Sequence, residues 1–193
     1  PARLQEELDT RGLAVSLVVN NAGVGHGGRF VEQPMDRVLE TVELNTRVAT
    51  EVARRFLPPM VRRGRGALVN VVSMSAFQPV PYLAVYAATK AYLLALTEGL
   101  HAELAGTGVR VQALCPGNIP TEFQDRAGTT GVRYSKTPAM SADDVATASL
   151  DALAKGKLIV IPAVADRATV FALRFTPRAV VRRIAGELFK PTD

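Results

Sequence analysis

The sequence predicts an α/β fold in which a parallel β-sheet is covered by helices on both faces, a doubly wound arrangement. Short continuous apolar runs, typical of strands buried on both faces, alternate along the chain with longer segments of helical spacing. This alternation favours parallel pairing, because each helix returns the chain to the start of the next strand. A chain of 193 residues is long enough for one domain with a sizeable core.

Two helices and two strands are predicted in the first part of the chain. Residues 2–11 have helical spacing and are followed by a glycine, and residues 14–19 form the apolar run of a first strand. Residues 35–60 carry a long helical pattern. Residues 67–72 are apolar and β-branched, which predicts a second strand.

The second part continues the pattern. Residues 82–105 are predicted to be helical and end at glycines, and residues 109–114 form a third strand. A further helix begins at Ser141, with Asp144 three residues later in a capping-box-like arrangement. Residues 157–161 are the fourth predicted strand.

Two segments fall outside this alternation. Residues 118–140 have no clear period and are predicted to be a long loop that covers a functional site. Residues 163–193 alternate apolar residues with arginines and form a basic helical extension to a domain at 1–162. The favoured interpretation of the extension is a solvated amphipathic helix pair. Docking on a partner subunit, on a membrane surface or on an acyl carrier's phosphate are the alternatives.

Composition excludes several classes of function. The net charge is +5, but the basic residues do not form one stripe, and aromatic residues are only 6% of the chain, so nucleic acid is not the expected partner. No apolar run reaches the roughly 20 residues of a membrane span. Cys115 is the sole cysteine, which favours a cytoplasmic protein, and no residues have metal-ligand spacing.

Three polar residues carry the strongest functional signal. Tyr86 and Lys90 are four residues apart in a predicted helix, so their side chains lie on one face, one turn apart. An ammonium group there is expected to lower the pKa of the phenol towards neutrality. Ser73 follows a predicted strand, and its hydroxyl can orient a carbonyl oxygen for proton transfer from the tyrosine.

Together with other motifs, these residues resemble the short-chain dehydrogenase/reductase family of the classical type, over about residues 1–162. The motifs occur in the family's order and in the expected strand and helix contexts. They are Asn20-Asn21-Ala22-Gly23 after the first strand, Asn45 in Leu44-Asn45-Thr46, Ser73, Tyr86 with Lys90, and Pro116-Gly117-Asn118-Ile119-Pro120-Thr121.

The resemblance implies a Rossmann-like fold and an NAD(P)-dependent oxidoreductase that interconverts a ketone and a secondary alcohol. The family's catalytic tetrad matches Asn45, Ser73, Tyr86 and Lys90. The asparagine would hold a water in the proton relay behind the lysine. The implied cofactor-binding residues are Asn20, Ala22, Gly23, Tyr86, Lys90, Pro116, Gly117, Ile119 and Thr121.

The substrate is expected to be an apolar, ketoacyl-like ketone or alcohol. The residues expected at the pocket rim are mostly apolar, namely Val24, Met74, Phe77, Gln78 and Phe123. The tail similarly resembles that of bacterial members labelled ketoacyl reductases. An epimerase or dehydratase is disfavoured, because only about 30 residues follow the last strand. The full-length protein is expected to be a homo-oligomer.

The chain departs from the family at its phosphate-binding turn, T-G-x-x-x-G-x-G, which is absent from the sequence. It starts in what resembles the helix before the family's fourth strand, so the first βα units, on the order of sixty residues, are missing. We therefore expect a fragment whose sheet has an exposed edge. The residue that discriminates the cofactors is also missing, and NADPH is slightly favoured over NADH. The alternative is a truncated, non-catalytic relative that acts as a binding or scaffold module.

Overall fold

A computed structural model describes residues 1–191, and its centre is a four-stranded, wholly parallel sheet. The strands are β1 (Leu17–Asn20), β2 (Gly66–Val71), β3 (Val109–Leu114) and β4 (Ile159–Val160), in the spatial order β1-β2-β3-β4. In the register, Val69 is paired with Val19 on one side and with Gln112 on the other. The predicted fold class is confirmed.

The helices connect and cover these strands. They are α1 (Ala2–Thr10), α2 (Met35–Val42), α3 (Ala49–Arg62), α4 (Ala84–Glu103), α5 (Glu122–Arg126), α6 (Ala142–Ala154), α7 (Val164–Leu173) and α8 (Arg178–Phe189). Short 3-10 turns occupy Phe30–Glu32, Met74–Phe77 and Arg133–Lys136. None of the helices in the described part of the chain is long and apolar enough to cross a membrane.

Side chains along the strands alternate between the two faces of the sheet, so the protein has one core layer on each face. Leu68 and Val111 pack against α3 on one face of the sheet, with α1 and α4 adjoining. Their neighbours Ala67 and Val69 pack against α6 on the other face. Successive strand residues point to opposite faces, so a continuous apolar run is what a sheet covered on both sides requires.

β1 is an edge strand, as expected. Leu17 is 38% exposed and Val19 is 53% exposed, although both lie in the paired segment. The predicted start of this strand at residue 14 is too early, because pairing with β2 begins only at Leu17. The fourth strand is likewise shorter than predicted, because only Ile159 and Val160 pair with β3.

The helix predicted at 35–60 is not continuous. A π-helical turn at Glu43–Val48 separates α2 from α3. The second half also continues through Pro58 and Pro59 to Arg62. The helical spacing of the apolar residues continues through one wider turn. The sequence pattern therefore did not reveal that the helix is interrupted.

The predicted loop at 118–140 contains α5 and a 3-10 turn. Asn118 joins the start of this segment to residues near its end, because its amide donates to the backbone carbonyls of Ser135 (3.3 Å) and Thr137 (2.8 Å). The predicted cap of the next helix is confirmed, because Ser141 Oγ accepts a hydrogen bond from the Asp144 backbone N–H at 3.1 Å. The segment is therefore anchored at both ends beside the carboxyl ends of the strands.

Candidate active site

The carboxyl ends of β1, β2 and β3 surround a cavity of about 320 Å³, at the edge where open α/β sheets bind ligands. Its wall combines residues that follow the strands, residues of α4, and residues of the segment after β3. The lining residues are Asn21, Gly23, Val71, Val72, Ser73, Ser75, Leu83, Tyr86, Lys90, Pro116, Gly117, Asn118, Ile119, Thr121, Phe123, Gln124, Thr129, Tyr134 and Phe189.

Tyr86 and Lys90 reach this cavity from one face of α4. Both are buried, and Lys90 Nζ lies 5.6 Å from the centroid of the Tyr86 ring. The ammonium group is fixed by a 2.7 Å hydrogen bond that it donates to the carbonyl oxygen of Val71, the last residue of β2. The sheet therefore determines where the lysine lies relative to the tyrosine.

Ser73 enters the cavity from the turn that follows β2. Its Oγ accepts a 3.1 Å hydrogen bond from the Ser75 backbone N–H, and its side chain lowers the pKa of the Tyr86 phenol. Ser75 lines the same cavity. The influence on the phenol distinguishes Ser73 as the hydroxyl that acts with Tyr86.

Burial controls the protonation of this group. It raises the pKa of Tyr86 to about 12, although Ser73 lowers that pKa in part. Burial also lowers the pKa of Lys90 to about 8, opposed by interaction with Cys115. The expectation that the pKa of Tyr86 lies towards neutrality is wrong for this structure, because loss of solvation raises it.

Asn45 lies behind the cavity, in the π-helical turn. Its Oδ1 accepts from the Val24 N–H at 2.9 Å, and its Nδ2 donates to the Val24 carbonyl at 2.8 Å and to Thr89 Oγ1 at 3.0 Å. A Cβ added at Gly23 would lie 3.2 Å from Asn45 Oδ1 and 3.3 Å from Lys90 Nζ. The asparagine thus holds the turn after β1 against the lysine, and π-helical turns often occur at such functional positions.

The residues predicted to contact a cofactor divide into two groups. Gly23, Pro116, Gly117, Ile119 and Thr121 line the cavity beside Tyr86 and Lys90. Asn20 and Ala22 do not line it.

Asn20 is turned into the core instead. Its amide donates to the Ala49 carbonyl at 3.2 Å and to Asn70 Oδ1 at 3.0 Å. Its side chain therefore does not reach the cavity, and its contact with a cofactor stays a prediction.

The nicotinamide end of a dinucleotide fits this donor set. A lysine ammonium has three N–H donors, and Lys90 uses one of them on Val71. The absence of a side chain at Gly23 leaves room next to the ammonium group. These two features provide the space and the donors that a ribose hydroxyl requires.

One wall of the cavity was not predicted. Tyr134 and Phe189 stack with ring centroids 4.6 Å apart, and Leu83 packs in the same cluster. Phe123 was predicted at the rim and does line the cavity, 5.2 Å from the Tyr86 ring. No local pattern marks Tyr134 or Phe189, because they meet only when α8 folds back over the turn at 133–136.

The other predicted rim residues lie elsewhere. Val24 faces a neighbouring groove beside His26, and Phe77 and Gln78 face a groove along α4. Met74 is buried and is not part of the cavity wall. The turn at Met74–Phe77 directs the side chains of Met74 and Phe77 away from Ser73. Their closeness to Ser73 in the sequence therefore did not place them in the cavity wall.

Neither histidine joins the cavity. His26 Nε2 lies 3.3 Å from Glu40 Oε2 in the loop after β1. His101 is half-buried on α4, with Nδ1 3.1 Å from the Val111 carbonyl oxygen. Within residues 1–191, no cluster of three or more His, Cys, Asp or Glu side chains could hold a metal ion.

A wider groove of about 820 Å³ runs along α3. Three of its charged side chains pair with one another: Glu51 accepts from Arg47 at 3.1 Å and from Arg55 at 2.7 Å. It contains no buried acid–base pair, so the smaller cavity is the candidate active site.

Gly25→Ala is expected to reduce activity by displacing the reactive ring. A Cβ there would lie 2.9 Å from Tyr86 Cδ2 and 3.1 Å from Phe123 Cζ, closer than real Cβ contacts allow. We expect kcat to fall by about tenfold or more, because small displacements of reacting groups are costly.

The matched control is Gly99→Ala, whose Cβ meets nothing within 4 Å on α4. That control should keep wild-type kcat and unfold at a higher temperature, since alanine favours helix over glycine. Equal kinetics for the two variants would contradict the predicted crowding.

Comparisons with known proteins agree with this arrangement. The family model described as short chain dehydrogenase matches residues 2–130. A 1-deoxy-11-beta-hydroxypentalenate dehydrogenase from Streptomyces exfoliatus is 41% identical over 143 residues, which is 72% of this chain and 51% of that protein. The ketoacyl reductase HetN from Nostoc sp. is 34% identical over 118 residues, covering 61% of this chain and 41% of that protein.

A solved structure is similar over nearly all of the chain. A short-chain dehydrogenase from Sphingobium yanoikuyae in complex with NADPH aligns with a TM-score of 0.77 and 32% identity, over 93% of this chain and 69% of that chain. The chain thus spans about half the length of the two curated relatives.

Proposed function

Because the chain belongs to the short-chain dehydrogenase family, we propose that the protein is a nicotinamide-dependent oxidoreductase that interconverts an apolar ketone and a secondary alcohol. The observation that carries the proposal is the meeting of Ser73, Tyr86 and Lys90 in one cavity with a largely apolar wall. The shared cavity supports a common role in proton transfer to a bound carbonyl oxygen.

The residues that would hold the cofactor lie on one side of this cavity. Lys90 would donate to the nicotinamide ribose, with Gly23, Ile119 and Thr121 around the nicotinamide end. When bound, the nicotinamide supplies or accepts a hydride at the carbonyl carbon. We favour NADPH, and the NADPH complex of the Sphingobium yanoikuyae enzyme supports that choice.

The protein's own residues manage the proton. In reduction, the Ser73 hydroxyl donates to the carbonyl oxygen and orients it beside the Tyr86 phenol. A pKa of about 12 keeps the phenol protonated at neutral pH, so Tyr86 is ready to donate its proton as negative charge develops on that oxygen. The ammonium group of Lys90 then stabilises the phenolate that remains.

Lys90 in turn relies on Asn45. The asparagine fixes the Val24 backbone and Thr89, and so holds the turn after β1 beside the ammonium group. We propose that Asn45 positions the relay behind the lysine and does not touch substrate. Asn45 does not line the cavity, which supports this positioning role.

The cavity wall favours an apolar substrate. Leu83, Phe123 and Phe189 form an apolar part of the wall, and Tyr134 adds a hydroxyl beside it. Burial of apolar substrate area on such a surface is favourable by roughly 25 cal/mol per Å². The ketoacyl reductase and hydroxypentalenate dehydrogenase relatives support a substrate of this chemical class. We also expect the whole protein to be cytoplasmic and homo-oligomeric.

A cofactor and ketone panel tests the proposal. The intact protein is mixed with NADH or NADPH and with cyclohexanone, acetophenone, a β-ketoacyl thioester or fructose, and loss of cofactor absorbance is followed. We expect kcat/KM for the apolar ketones to exceed that for fructose by about tenfold or more, because only the apolar ketones gain from burial against Leu83, Phe123 and Phe189. Failure to oxidise either cofactor with any carbonyl compound would instead favour a non-catalytic binding module.

A further inference from the structure

The last two helices of the described chain each carry exposed apolar residues. On α8, Val181, Ala185 and Phe189 are buried, and Phe189 belongs to the wall of the cavity. Other apolar residues of α7 and α8 are exposed. Because the buried residues already supply the contacts with the core, the exposed ones have no role in it.

On α7 and the turn after it, the exposed apolar residues share one face. Val164, Ala168, Phe171 and Phe175 are spaced by four, three and four residues, the interval of one helical turn. Val164 is 71% exposed, Phe171 61% and Phe175 75%. The two phenyl rings contact each other edge to face at 5.4 Å. Together they form an outward stripe about three turns long.

α8 carries an exposed apolar pair of its own. Val180 is 44% exposed and Ile184 is 54% exposed, and they are one turn apart. Val181 and Ala185, the residues that directly follow them, are buried. The helix therefore presents one apolar stripe to the core and a second one to the outside.

Basic residues border these exposed stripes. Arg167 and Arg174 are one residue before Ala168 and Phe175, so they flank the stripe on α7, and Arg183 precedes Ile184 in the same way on α8. Residues 164–190 contain six basic and two acidic side chains, a net charge of +4. Within the described chain, none of the five arginines of this segment forms an ion pair. Their charge is thus available to an external anion.

We propose that the exposed apolar residues of α7 and α8 dock on an anionic membrane surface. Exposed phenylalanines with flanking arginines are the composition of helices that lie in the lipid interface, with apolar side chains among the acyl chains and cations at the headgroups. A second copy of this chain fits the surface less well, because it would bring two segments of net charge +4 together. The structure thus favours the membrane over the solvated helix pair expected from sequence.

Docking would also place the cavity next to the lipid. The same short helix carries Ile184 outside and Phe189 inside, where Phe189 stacks on Tyr134 at the cavity wall. An apolar substrate dissolved in the bilayer would then have a short path to the cavity. This consequence rests on the proposed function, whereas the docking itself does not.

The test is binding of the intact protein to vesicles by flotation. Vesicles of phosphatidylcholine alone are compared with vesicles containing about one third phosphatidylglycerol. We expect binding to the anionic vesicles only, with about a tenfold or larger loss on raising the salt from about 0.1 M to about 1 M. The double variants Phe171→Ser/Phe175→Ser and Arg167→Gln/Arg174→Gln should each weaken binding by about tenfold or more.

Two control variants distinguish docking through α7 and α8 from nonspecific effects of exposed apolar side chains or of positive charge. Phe30→Ser/Val31→Ser changes another exposed apolar pair, and Arg62→Gln/Arg65→Gln removes two exposed arginines elsewhere. Both should bind vesicles like the wild type. Equal binding by all variants, or none to anionic vesicles, would overturn the proposal. So would concentration-dependent self-association lost in the Phe171/Phe175 variant while vesicle binding persists. Because binding is measured without turnover, its failure is distinct from failure of the proposed activity.

Discussion

Tyr86→Phe is expected to lower kcat by about a thousandfold or more while leaving the fold intact. The ring is 9% exposed, packs in the cluster with Leu83 and Val132, and lies 5.2 Å from the Phe123 ring. Phenylalanine keeps these contacts but has no proton to deliver to the substrate oxygen. The effect should appear in kcat at saturating ketone, with circular dichroism and the unfolding midpoint close to those of the wild type.

Tyr92→Phe is the matched control on the same helix. Tyr92 is 44% exposed, and its hydroxyl lies 2.8 Å from Thr50 Oγ1, away from the cavity. It should therefore retain wild-type kcat. If Tyr86→Phe kept full turnover, or if both variants lost activity equally, the phenol of Tyr86 would not be the proton donor.

Lys90→Met is expected to abolish turnover and yet to stabilise the protein at neutral pH. Burial lowers the pKa of Lys90 from 10.5 to about 8, so the folded chain holds this proton less tightly than the unfolded chain. That difference costs about 3 kcal/mol of folding free energy below pH 8. Loss of the hydrogen bond to Val71 offsets about 1–2 kcal/mol of the gain, so the variant should be about 1–2 kcal/mol more stable at pH 7.

The sign of the pH dependence provides the check. Between about pH 8 and pH 10.5 the unfolded wild-type chain binds more protons than the folded chain, so wild-type stability owing to this group rises with pH. The free energy of unfolding that Lys90→Met gains over the wild type, measured in denaturant titrations, should therefore decrease between about pH 8 and pH 10.5. Lys155→Met, at an exposed lysine, should show neither effect. A stability difference that does not change between about pH 8 and pH 10.5 would show that the pKa of Lys90 is the same in the folded and unfolded chains.

The strands illustrate how far periodicity predicts the fold. β3 was predicted with its observed bounds because it is central and covered on both faces, so its apolar run ends where its pairing ends. β1 began three residues later than its apolar run, because pairing with one neighbour decides where an edge strand begins. The π-helical turn at Glu43–Val48 was not predicted, because it depends on the tertiary bonds of Asn45 to Val24 and Thr89.

The site shows the same division between local and tertiary information. Tyr86 and Lys90 were predicted because a fixed helical spacing places them together, and Ser73 because it follows a strand. Tyr134 and Phe189 were missed because they are 55 residues apart and meet only through the packing of α8. The pKa of Tyr86 was predicted in the wrong direction, since spacing reveals the nearby lysine but not the burial.

Transfer of a label tests the central claim most directly. The intact protein is given NADPH or NADH deuterated at the transferred position, together with an accepted apolar ketone, and the alcohol is analysed by mass spectrometry. We predict one deuterium at the carbinol carbon with the wild type and only traces of alcohol with Tyr86→Phe. Cofactor oxidation without deuterium in the alcohol, or labelled alcohol formed at the wild-type rate by Tyr86→Phe, would contradict carbonyl reduction with Tyr86 as the proton donor.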